Sequence, residues 1–170
     1  MDVRSDVRNA KRLIAKSSIS ILAAIILAGC SNMTKKTQEA TLRGVSYEFP
    51  KSHIKAAVIP PEGRLYVRLE PPGANFHMIL DEWNDRPSEQ PNVPRISRLT
   101  DRFGEFDVIS SVNGPIVCDR GPQPHFNCGI LVEDGPLKWG VLFDKKYVDQ
   151  VSDIRLEAIS FIRSYRRDNV

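Results

Sequence analysis

A change of hydrophobic period near Lys146 sets the architecture open to this chain. Before it, apolar and polar residues alternate over short runs broken by Pro and Gly; after it, apolar residues recur every three to four positions. Period two sends successive side chains to opposite faces of a strand, whereas period 3.6 draws a stripe along a helix. Strands followed by one helix predict an α+β fold: an antiparallel sheet of about six to seven strands closed by one C-terminal amphipathic helix. One face of such a sheet is covered, and the other is expected to face solvent or a partner.

The strand-like runs can be placed individually. In residues 45–49, Val45, Tyr47 and Phe49 alternate with polar neighbours and Pro50 stops the run. Residues 64–69 put Leu65, Val67 and Leu69 on one face, and after Pro71, Pro72 and Gly73 the run 75–80 reads as their antiparallel partner. Runs 106–110, 115–118, 128–132 and 137–143 complete the set. The last two flank Glu133-Asp134-Gly135-Pro136, whose Asp-Gly turn chemistry predicts a hairpin. The helical stripe is Tyr147, Val151, Ile154, Ala158, Phe161, Ile162 and Tyr165. Asp149 and Asp153 lie early in that segment and Arg163, Arg166 and Arg167 late, the polarity that the helix dipole favours.

The beginning of the chain has a different character. Arg4, Arg8, Lys11, Arg12 and Lys16 form a basic head, residues 19–27 a short apolar stretch, and Leu27-Ala28-Gly29-Cys30 a run of small residues ending in cysteine. The apolar stretch falls short of the roughly 20 residues that cross a bilayer core. This segment resembles the signal peptide of bacterial lipoproteins, with Leu27-Ala28-Gly29-Cys30 as the lipobox. The resemblance implies cleavage of residues 1–29, acylation of Cys30, and a membrane anchor in which each buried CH₂ adds about 0.8 kcal/mol. Ser31, in place of aspartate after the cysteine, implies sorting to the outer membrane, facing the periplasm. Residues 30–42 are then expected to be a lipidated flexible tether, and 43–170 a single periplasmic domain.

Composition has to be recounted without the signal. Residues 1–29 hold five Lys or Arg and two Asp, so the chain's 24 basic and 21 acidic residues leave 19 of each beyond Gly29. A neutral domain offers no electrostatic case for nucleic acid. Gly44 to Pro50 also resembles the opening strand of small α+β periplasmic domains of the PsbP/Mog1 kind, which close with a helix; the match spans seven residues and carries no functional residue across.

With Cys30 given to lipid, Cys118 and Cys128 remain as a pair in an exported protein, and a disulfide is the natural outcome. The loop between them is rich in turn formers, and its closure is worth roughly 2 to 3 kcal/mol. The rival is a metal site of Cys118, His125 and Cys128, with Asp119 nearby, although this supplies only three soft ligands. No metal and no cofactor are expected on balance.

Residues 81–94 are a long loop with Trp83 as the only large apolar side chain, and such loops commonly carry contacts. Trp83 is accordingly a candidate partner contact, the alternative being that it pins the loop to the core. His125 and Phe126, in the loop between the cysteines, are further candidate contacts. Asp81, Glu82 and Asp85 read as solvated loop acids, and His53 and His77 as surface or structural histidines. No nucleophile elbow, phosphate-binding glycine loop or zinc-binding helix motif is present. These readings point to a non-catalytic, envelope-anchored protein-binding module, an immunity protein against a periplasmic effector being one member of that class. An outer-membrane assembly or maintenance factor and a small-ligand carrier or hydrolase are the alternatives.

Overall fold

The computed structural model describes residues 36–59, 64–101, 105–122 and 125–167. The signal segment and Cys30 lie outside the described residues. Among the described residues, ten strands and two α-helices follow in order: β1 Thr37–Leu42, β2 Val45–Pro50, β3 Ile54–Val58, β4 Tyr66–Leu69, β5 Phe76–Asp81, α1 Ser97–Thr100, β6 Phe106–Ile109, β7 Ile116–Asp119, β8 Cys128–Asp134, β9 Leu137–Phe143, α2 Val151–Ser164 and β10 Arg166–Arg167.

Seven strands form one sheet in the order β3-β4-β5-β9-β8-β7-β6, antiparallel throughout, and β1-β2-β10 form a second. The larger sheet is open, with β3 and β6 at its edges, so α2 covers it rather than closing it. Both expected hairpins are present, β4 with β5 and β8 with β9. The second turns at Gly135, whose φ of +61° suits glycine.

Residues 37–42, expected as tether, are instead strand β1. Arg43 and Gly44 both have positive φ, 47° and 82°, and join Leu42 to its register partner Val45. A two-residue turn with both centres left-handed matches the twist of a hairpin, which carries the chain back along β2. β1 lacked a strong apolar rhythm because Leu42 alone is fully buried in it, with Ala40 packed beside it on the core; pairing with β2 supplies the rest of its hold.

The small sheet and α2 share one face of the large sheet. Tyr47 and Phe49 from β2, Trp139 and Val141 from β9, and Val151, Ile154, Ala158 and Ile162 from α2 belong to one core. The helix begins at Val151, later than the periodicity alone suggests, because 3-10 turns span Lys145–Gln150. Trp139 meets Tyr47 and Phe49 edge-on, at 6.2 and 6.4 Å between ring centroids.

The opposite face, expected to be open, is partly covered. Residues 93–99 lie across it, and Ile96 and Leu99 pack on Ile79, Val117 and Leu142. Glycines in two strands make the approach close. A Cβ at Gly129 would stand 2.9 Å from Leu99 Cδ1, and one at Gly140 3.4 Å from Ile96 Cγ2. Buried Asn84 fastens this strap, its Nδ2 donating to the carbonyls of Ile79 and Lys138 and its Oδ1 accepting from the Ser97 N–H at 3.1 Å. The polar loop is therefore the lead-in to an apolar cover.

Candidate partner-binding cleft

Trp83 lies one residue into the 3-10 turn Glu82–Asp85 that ends β5. Asp81 caps this turn, accepting the Trp83 N–H on Oδ1 at 3.1 Å, while its Oδ2 pairs with Arg64 Nη2 at 3.2 Å. These contacts orient a half-buried indole toward three guanidiniums. The Cζ atoms of Arg64, Arg86 and Arg95 stand 4.7, 5.0 and 5.3 Å from its centroid. Each such contact contributes roughly 0.5–1 kcal/mol at an exposed site, and more where water is excluded.

Three cations around one ring repel each other, and carboxylates offset this. Arg64 has Asp81, and Arg95 pairs with Asp101 at 3.0 Å. Burial lifts the Asp101 carboxyl above its usual range against the pull of Arg95. Arg86 contacts the Trp83 ring and has no ion pair among the described residues. A ring offers only two faces, so the site presents arginine as much as tryptophan. Trp83, Arg86, Glu89, Arg95, Asp101 and Phe106 line a broad cleft of about 1020 Å³ between the strap and edge strand β6. Trp83 thus joins the turn through its backbone N–H and lines the cleft with its ring.

The cysteine pair is joined. Cys118 and Cys128 are register partners on β7 and β8, their sulfurs bonded and both residues fully buried. With both sulfurs in the bridge, the alternative metal set loses its thiolates. Above the bridge, Asp119 accepts the Gly121 N–H at 2.7 Å, and Arg120 Nε binds Asp107 at 2.6 Å. Arg120 also reaches Glu105 at 3.4 Å, beside Phe106 of the cleft.

His125 is exposed, with Nδ1 3.6 Å from Asp144 Oδ2. Phe126 is half-buried at a φ of 52°, donates its N–H to Asp144 Oδ1 at 2.6 Å and sets its ring against His77. The His125 and Phe126 rings lie 6.4 Å apart, the first exposed and the second set against His77. His53 is tied structurally, its Nδ1 2.7 Å from the Tyr165 hydroxyl. Of the loop acids, Asp81 is buried as a cap and Asp85 pairs with Arg43, so neither is the merely solvated carboxylate expected. The arginine cluster escaped sequence reasoning. The available signal was Arg86 in the loop of a lone Trp and Arg95 directly after it.

Comparison with protein-family models, with curated proteins and with solved structures finds no match for this chain.

Proposed function

We propose that this chain is a non-catalytic, lipid-anchored protein-binding module of the bacterial envelope, held at the outer membrane through Cys30 and meeting a periplasmic protein partner at the Trp83 cleft. The observation that carries the binding part is the indole clasped by three guanidiniums in the turn that ends β5. Trp and Arg are the side chains most enriched among residues that dominate binding energy, and they act best when the surrounding scaffold is pre-organised. The basic head, apolar stretch and lipobox of residues 1–30 support the anchor.

Two experiments test the two parts. Capture on the full chain from envelope extract should yield one stoichiometric partner. That partner, once purified, should bind the Trp83→Ala variant at least about tenfold more weakly, equivalent to about 1.4 kcal/mol. A secreted effector as the partner makes the chain an immunity protein; a component of a membrane machine makes it an assembly factor. Equal affinity of the intact chain and the variant would remove the cleft from the reading. For the anchor, palmitate labelling should be lost in Cys30→Ala, and labelling of that variant at the normal level would defeat it.

A further inference from the structure

On the strap-bearing face, where β4 and β5 run out beyond the cover of Ile96 and Leu99, one imidazole nitrogen faces two incompatible partners. His77 Nδ1 lies 3.0 Å from Arg68 Nη2 and 3.0 Å from Glu70 Oε1. A guanidinium can only donate and a carboxylate can only accept, so a ring nitrogen serves the first when bare and the second when protonated. Arg68 Nη2 also donates to Glu70 Oε1 at 2.8 Å, which ties both partners together whichever one His77 uses.

The surroundings make the choice consequential. Only 13% of the His77 side chain is exposed. Its ring stands nearly perpendicular to that of Phe126, with centroids 3.7 Å apart, so the imidazole cannot turn without displacing Phe126. Phe126 is itself constrained by its left-handed backbone, by its N–H bond to Asp144 and by the bridged Cys128 two residues on. Every charge that faces the ring takes a side. Glu70 favours the protonated ring, Arg68 and Arg98 oppose it, and Lys55 draws on Glu70 from β3 at 3.5 Å. Asp144 and His125 lie behind Phe126.

We propose that His77 is a proton switch that exchanges partners within one ring position against Phe126: bare, its Nδ1 accepts from Arg68; protonated, the same Nδ1 donates to Glu70. Burial in the first place, with Arg68 and Arg98 adding to it against Glu70, holds the ring's pKa below its ordinary value, so the neutral arrangement is the resting one. This inference is independent of the cleft and of what binds there.

Nitrogen-15 NMR of the full chain with labelled histidine reads both states, and three histidines make assignment simple. The neutral His77 should carry its proton on Nε2 and leave Nδ1 bare. On acidification Nδ1 should gain its proton at a midpoint below about 6.5, and the Phe126 amide should shift with that same midpoint. Glu70→Gln should lower the midpoint and Arg68→Met should raise it. A neutral ring protonated on Nδ1, a Phe126 amide with no inflection at the His77 midpoint, or a His77 that stays neutral until the chain unfolds would each overturn the proposal. The unmodified chain supplies all three readings, so the test does not depend on the variants folding.

Discussion

Tyr47 on β2 donates its hydroxyl to Asp134 Oδ2 at 2.6 Å, and the accepting carboxylate, at 1% exposure, is one of the most deeply buried charges described in the protein. Arg166 Nη1 reaches the other oxygen at 3.1 Å. This one carboxylate therefore joins the small sheet, the β8–β9 turn and the strand after α2. Burial first, and then the bond to Asp134, keeps the Tyr47 hydroxyl above the ordinary phenol range, so it remains a donor at any physiological pH. Tyr47→Phe should destabilise the protein by about 1–3 kcal/mol, because the carboxylate loses a partner while staying buried. Urea denaturation with an unchanged slope checks this, and a loss below about 0.5 kcal/mol would show that water replaces the hydroxyl.

The Cys118–Cys128 bridge should contribute roughly 2 to 3 kcal/mol. Cys118→Ser and Cys128→Ser should each remove it, and the double variant should add little to either, since the single changes already break the same bond. Mass spectrometry of the exported protein should find no free thiol at either position. Two free thiols with a bound metal would restore the rival arrangement.

Gly129→Ala should be more costly than Gly140→Ala. At position 129 the new methyl meets Leu99, Leu142 and Ile96 at 2.9, 3.0 and 3.2 Å, whereas at 140 its nearest neighbour is at 3.4 Å. Overpacking of this kind costs about 1–3 kcal/mol, and the strap yields before the sheet does. Adding Leu99→Ala should recover part of the Gly129→Ala loss. Additive losses in the double variant would mean that the strap does not lie on that glycine.

Acid should weaken the fold in two windows. His77 has a folded pKa below its unfolded value, so between the two the unfolded chain binds more protons. Its contribution is complete above about pH 6.5 and fades as the pH falls through the folded value. Burial pushes the Asp144 carboxyl up, but the Phe126 N–H, His125 and Lys146 outweigh it and leave the pKa below the ordinary one. That contribution is present above the ordinary carboxylate range and is lost as the pH falls through the lowered value. Denaturation midpoints measured against pH should lose the upper window in His77→Gln and the lower one in Asp144→Asn. Unchanged profiles in both variants would show that neither group is linked to folding.

What the residues determined by themselves was local. Alternation in 45–49, 64–69 and 137–143, turn chemistry at Gly135 and the 3.6 stripe through Ile154 and Ile162 act within a few positions, and the corresponding elements are present. The cysteine count, with Cys30 set aside, likewise anticipated the union of Cys118 and Cys128. What only the tertiary structure decided was every feature whose cause lies far along the chain. β1 is held by β2 beside it and by no more of an inward face than Ala40 and Leu42 supply. Exposed β3 belongs to the sheet only through its pairing with β4. Ile96 and Leu99 gain their partners from strands as distant as β9, through glycines whose missing side chains give no positive signal in a sequence. The arginines at 64, 86 and 95 converge on Trp83 because sheet and strap bring them there, since side-chain contacts across long loops depend on chain topology and not on spacing.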